Sequence, residues 1–140
     1  MREYGKVSPK FWTGQTGKLI KNAGTESVLV ALYLMTSPHA DMLGIYYLPK
    51  LYIAHETGLT LEGASKGLQG CIEGGFCAYD EDLELVWVKK MAHYQVDEAL
   101  KPNDNRVKAV IKAFLGMPKS QHLQGFYDEY KDSFHLPEHP

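Results

Sequence analysis

Eight consecutive residues, Val28 to Met35 (VLVALYLM), carry no charge and no polar group beyond the Tyr33 hydroxyl. Helix punctuation flanks them. Thr25 is the expected N-cap, Glu26 lies near the positive end of the helix dipole, and Ser37-Pro38 stops the helix. A helix that is apolar on every side belongs at the centre of a fold. The rest of the chain must therefore supply the layers that cover it. The run is far too short to span a bilayer, which takes about 20 residues. The opening MREYGKVSPKFW lacks the apolar stretch of a secretory signal, so a cytoplasmic protein is expected.

Gly44 to Leu48 (GIYYL) is β-branched and aromatic, a strand pattern. Pro49 suits the first turn of a short helix that carries Leu51, Ile53, Ala54 and Thr57 and stops at Gly58. Thr60 caps the next helix. There Leu61, Ala64, Leu68, Cys71 and Ile72 recur at offsets 0, 3, 7, 10 and 11, on one face of a 3.6-residue helix that ends at Gly74-Gly75. Phe76–Tyr79 and Leu83–Val88 flank the acidic turn Asp80-Glu81-Asp82 and predict a hairpin. Upstream, Tyr4-Gly5-Lys6-Val7 reads as a short edge strand, with Gly14 and Gly17 as breaks. Downstream, a short helix is expected through Met91, Tyr94 and Leu100. Another, capped by Asn103 or Asp104, carries Val107, Val110, Ile111 and Phe114, and a last one opens at Ser120.

The fold class is thus mainly α with a small β-hairpin. Helix, strand, short helix, helix and hairpin, in that order, is the layout of a winged helix-turn-helix with extra C-terminal helices. The second and third helices form the helix-turn-helix, and the hairpin is the wing. The expected organisation is a basic N-terminal arm over 1–22, a winged-helix core over 23–90 and a C-terminal helical extension over 91–140.

Five stretches carry a family resemblance: Tyr4 to Trp12 (YGKVSPKFW), Ala31 to His39 (ALYLMTSPH), Ile53 to Gly70 (IAHETGLTLEGASKGLQG), Glu73 to Asp80 (EGGFCAYD) and Val86 to Val88. Together they resemble the N-terminal domain of phage and prophage replication proteins of the replisome-organiser group. That domain is similar in architecture to the N-terminal winged helix of the primosomal protein DnaD. The resemblance spans roughly residues 4 to 95. It implies a role in replication initiation in a bacterial host, with DNA (double- or single-stranded) and replication or helicase-loading proteins as partners. The alternative is a protein-interaction and self-association scaffold that does not contact DNA directly.

Charge decides where DNA could touch. The net charge of −2 conceals four blocks: net +4 over residues 1–22, −7 over 23–88, +4 over 89–121 and −3 over 122–140. Affinity for DNA comes mainly from phosphates neutralised by Lys and Arg, and base reading needs Arg, Lys, Asn or Gln at base edges. The helix from Thr60 to Gly74 offers Ser65, Lys66 and Gln69 outwards, but also Glu62 and Glu73, four glycines, and neither Arg nor Asn. The wing tip, Asp80-Glu81-Asp82-Leu83-Glu84, would repel a phosphate backbone. The remaining candidates are Lys6 and Lys10 in the first basic block, and Lys89, Lys90, Arg106, Lys108 and Lys112 in the second. These form a phosphate-tracking patch if the two blocks meet in space. Otherwise they are solvated faces of amphipathic helices. Tyr46, Tyr47 and Tyr52 either stack on bases or a partner, or pack half-buried.

Leu123, Phe126, Tyr127, Tyr130 and Phe134 make a wide aromatic stripe in the last helix. It either packs back on the wing or pairs with a second copy as a self-association surface. No enzyme, metal or cofactor is expected. The six histidines show no HExxH spacing, and His135 and His139 flank Pro137. No GxxxxGK[ST] loop surrounds Gly70 to Gly75, and no Ser or Cys sits in a recognisable nucleophile motif. Cys71 and Cys77, the only cysteines, read as small buried hydrophobes.

Overall fold

The computed structural model describes residues 2–138. In chain order its elements are α1 (Lys10–Thr13), α2 (Gln15–Ala23), α3 (Thr25–Thr36), β1 (Ile45–Tyr47), α4 (Lys50–Thr57), α5 (Leu61–Glu73), β2 (Cys77–Asp80), β3 (Leu85–Val88), α6 (Met91–Gln95), α7 (Arg106–Leu115) and α8 (Gln121–Tyr130). The chain is mainly helical with one small antiparallel sheet of order β1-β3-β2. No helix among the described residues is long and apolar enough to cross a membrane.

The apolar run forms α3, and Val30, Ala31 and Leu34 are fully buried. Its cap differs from the expectation. Gly24 holds the N-cap position at φ +125°, and Thr25 is already helical with no capping bond from its side chain. Thr60 does cap α5, accepting from the Gly63 N–H, and Ser120 caps α8, accepting from the His122 N–H. Asp104 accepts from the Arg106 N–H at 2.9 Å, supplying the missing bond at the start of α7.

Two departures lie in residues 1–22. Tyr4 to Val7 forms no strand, and this block contains two helices, α1 and α2. Gly17 does not break the chain but sits inside α2, where a Cβ would stand 1.8 Å from the Phe11 carbonyl oxygen. It is a close-approach residue at the α1–α2 corner. The helix expected through Leu100 is also shorter, since α6 ends at Gln95.

The central strand β3 pairs with both neighbours, Trp87 opposite Ile45 on one side and Ala78 on the other. Because successive side chains point to opposite faces, the run Leu-Val-Trp-Val serves two cores. Val86 and Val88, with Tyr46 and Cys77, join α3, α4 and α5 through Leu34, Ile53, Leu68 and Cys71. Leu85 and Trp87, with Ile45, join α7 and α8 through Val110, Phe114, Phe126 and Tyr130. All four β3 residues are buried.

That second core takes up most of the aromatic stripe. Phe126 and Phe134 are fully buried, Tyr130 nearly so, and Leu123 and Tyr127 pack against them. Phe134 falls just beyond α8, its ring stacked on Tyr130 at 5.0 Å. The buried His122 Nε2–H donates to the Leu85 carbonyl at 2.9 Å, and the Tyr130 hydroxyl donates to the Lys89 carbonyl at 2.6 Å. The stripe is therefore the inner wall of the chain's own core. Phe126, Tyr130 and Phe134 are thereby withdrawn from the surface expected to self-associate, while Leu123 and Tyr127 stay half-buried.

Both cysteines are free and buried. Burial pushes the Cys71 thiol up to about 12 and the Cys77 thiol well above the ordinary range. The Cys71 S–H also donates to the Ser27 carbonyl at 3.3 Å. Because the thiolate is the reactive form, the native protein is expected to resist a thiol reagent at pH 8, while both thiols react once it is unfolded in urea. Fast labelling of the native protein would overturn this. The sign with pH follows from the raised values. The fold favours the protonated thiols, so their contribution is intact below the free-thiol range and is lost as pH climbs towards the folded values.

Candidate nucleic-acid interface

The outer face of α5 carries the residues expected to read bases, but they are engaged locally. Lys66 and Gln69 are exposed on α5 and Ser65 is half-buried. Lys66 Nζ lies 3.7 Å from Glu26 Oε2, and Gln69 Nε2 donates to Glu73 Oε1 at 3.2 Å. At the β2–β3 turn, Glu81 pairs with Lys50 at 2.8 Å, and the Asp80 carboxylate accepts from the Leu83 N–H to shape the turn. Glu84 adopts φ +51° there. The carboxylates of Asp82 and Glu84 add to the negative field of this end.

The two basic blocks do meet. Lys6 and Lys10 from the N-terminal segment, and Lys89 and Lys90 from the end of the hairpin, line one cavity of about 470 Å³. Residues 2–9 are held against α6 by a two-way amide clasp. The Lys6 N–H donates to Gln95 Oε1 at 3.1 Å, and Gln95 Nε2 donates to the Lys6 carbonyl at 2.9 Å. This contact spans 89 residues of sequence and fixes Lys6 beside α6. The cavity opens where the hairpin strands begin and end, at Phe76 and Lys89, whose backbones are bonded (Lys89 N–H to Phe76 carbonyl, 3.2 Å). The acidic β2–β3 turn is at the hairpin's other end, about 13 Å away for a strand of this length.

Charges at the cavity are partly compensated. Lys90 is ion-paired with Glu129, the one acid in the lining, and Lys89 Nζ sits 5.9 Å from the Trp87 ring centroid as a cation–π contact. Among the described residues Lys6, Lys10 and Lys89 make no ion pair. Phe11, Phe76 and Tyr94 supply aromatic wall. Phe11 meets Phe76 edge to face at 6.4 Å, and Tyr94, 42% exposed, meets His93 the same way at 4.7 Å.

The other predicted cations are placed differently. Arg106 shares a smaller cavity of about 300 Å³ with Lys6 and Gln95, but its guanidinium is occupied. It donates to Asp97, Asp104 and the Val96 carbonyl at 2.9–3.2 Å, contacts that hold Asp104 below its ordinary value. Lys108 and Lys112 are exposed on α7 and line neither cavity. Of the tyrosines, Tyr46 is buried, its hydroxyl donating to the Leu34 carbonyl at 2.6 Å, while Tyr47 and Tyr52 are exposed and meet edge to face at 6.1 Å. With Leu51, 66% exposed, they make the surface beside the acidic β2–β3 turn apolar.

Sequence reasoning missed the parts of the cavity that come from helix ends and from the arm. Gln15, Thr16 and Gly17, the first turn of α2, line it, and Gly14 caps that helix without a side chain. No group of three or more His, Cys, Asp or Glu placed to hold a metal occurs among the described residues, and His139 lies outside them. No protein-family model, curated protein or solved structure matches this chain.

Proposed function

We propose that residues 25–88 form a winged helix, and that the domain binds DNA in replication initiation through its converged basic flanks rather than through α5 and the wing. The strand order β1-β3-β2, with α4 and α5 between β1 and the hairpin, supports the winged-helix reading. The observation that carries the DNA reading is the meeting of Lys6, Lys10, Lys89 and Lys90 at one cavity, away from the carboxylates of the wing. The resemblance to replisome-organiser domains supports the biological setting.

A fluorescence anisotropy titration of labelled DNA across a salt series tests this. With four phosphates neutralised, affinity is expected to fall by roughly 10²-fold between about 50 and 200 mM salt. Lys10→Glu with Lys89→Glu is expected to weaken binding by at least about tenfold, whereas Lys66→Ala with Gln69→Ala stays within about twofold. The reverse ranking would return the contact to α5 and overturn the proposal.

One observation favours a second reading, a docking module that organises protein partners. Tyr47, Leu51 and Tyr52 form an exposed patch at the acidic end, and aromatic residues are enriched at interface centres. Under that reading Tyr47→Ala with Leu51→Ala abolishes self-association on a sizing column, and no DNA is bound by either protein.

A further inference from the structure

We infer that the cavity between the N-terminal segment, α2 and α6 receives an unpaired nucleotide, so that the nucleic acid it binds is single-stranded. This rests on the proposal that the basic flanks contact nucleic acid, and it specifies the strand state.

The first argument is shape. At about 470 Å³ the space lies in the range of small-ligand sites and suits one base with its sugar. A duplex carries its phosphates on the outside of a cylinder and its bases stacked within. It can reach rim lysines but leaves an aromatic wall inside a cavity without a partner.

The second argument is the division of the lining by chemistry. Phosphate is served by Lys6, Lys10 and Lys89, none of them ion-paired, and by the first turn of α2, whose positive end is free of acidic residues and of any side-chain cap. The base is served by Phe11, Phe76 and Tyr94, because every base offers a π-face to an aromatic ring. Phosphate-binding lysines beside stacking aromatics is the combination that single-strand binders use. An acidic peptide would use the lysines and leave the rings idle.

The third argument is charge balance. The single lining carboxylate, Glu129, is already bonded to Lys90, which leaves the charges of Lys6, Lys10 and Lys89 at the cavity without an ion-pair partner.

The experiment compares, for the full chain, a labelled oligothymidylate of about 12 nucleotides, its ribo-counterpart oligouridylate, a duplex of about 20 base pairs and a poly-glutamate peptide. Expected are at least tenfold tighter binding of the single strands than of the duplex, and no poly-glutamate binding at the same salt. Tyr94 is 42% exposed and belongs to neither core, so Tyr94→Ala leaves folding intact, and it is expected to weaken single-strand binding by about tenfold. Tyr94→Phe, which keeps the ring, restores it. Equal or tighter duplex binding, or a Tyr94→Ala affinity unchanged from the parent, overturns the single-strand inference while leaving DNA binding standing. Tight poly-glutamate binding with no oligonucleotide binding overturns both.

Discussion

Phe126→Ala is expected to lower the unfolding free energy by about 3–5 kcal/mol and to move the whole unfolding transition rather than split it. The side chain is fully buried in the second core, stacked on Phe114 at 6.0 Å and tilted against Tyr130 at 4.7 Å. Its removal takes away transfer free energy and leaves a cavity that rigid neighbours cannot fill. A loss of that size is a large part of the roughly 5–15 kcal/mol that holds a domain together. The stronger claim is cooperativity. β3 gives Leu85 and Trp87 to the second core and Val86 and Val88 to the first, so neither core keeps its wall if the other melts. Urea unfolding followed by far-ultraviolet circular dichroism and by the fluorescence of Trp87, in a Trp12→Phe background, should give superimposable curves. A biphasic curve, with the helical signal of α3 and α5 surviving the first step, would mean that residues 91–140 fold as a separable extension.

How much of this was legible follows from what kind of signal each feature leaves. Local signals transferred well. Thr60 and Ser120 announce caps, Gly58 and Gly74-Gly75 announce helix ends, and the alternation around the acidic turn announces the hairpin, since each depends on bonds within a few residues. Signals that depend on distant partners did not. Gly14 and Gly17 read as breaks because the sequence does not say that the Phe11 backbone crosses Gly17. The aromatic stripe of α8 has the same pattern whether it meets a second copy or its own sheet, and only the tertiary fold places Trp87 against it. For the candidate site, the four lysines were visible as charge blocks, but their convergence rests on the clasp between Lys6 and Gln95. That clasp is a side chain bonded to backbone, which leaves no periodicity to detect. Lys108 and Lys112 share their sequence block with Lys89 and Lys90, yet α7 carries them elsewhere. Block charge locates a region and not a surface.

Gly70→Val is expected to destabilise the fold by about 3 kcal/mol, the upper part of the range for overpacking a filled site. In sequence, four glycines weaken the Thr60–Gly74 helix as a reader of bases, and the three inside α5, Gly63, Gly67 and Gly70, each cost up to about 1 kcal/mol of helix propensity relative to Ala. Their placement explains two of them. A Cβ on Gly67 would stand 2.7 Å from both the Glu26 carbonyl oxygen and Val30 Cγ2, and one on Gly70 would stand 2.0 Å from Ser27 Oγ. These two glycines face α3 and let the helices approach until backbone meets side chain. Valine at 70 must therefore push α5 off the apolar helix around which the whole fold is layered. Ser27→Gly in the same chain removes the nearest atoms, so the double variant should be less destabilised than the sum of the single ones, a coupling of about 1 kcal/mol or more by denaturant midpoint. Gly116→Ala at the end of α7, where the nearest atom to a new Cβ is 3.5 Å away, should stay within about 0.5 kcal/mol of the parent. Strict additivity of Ser27→Gly and Gly70→Val would count against the α3 contact as the reason for the glycine. If coupling is found, the glycine-rich composition of α5 reports on what lies beneath that helix. The scarcity of base-reading side chains on α5 then has a structural cause, in keeping with the proposed contact at the lysines of the hairpin's other end.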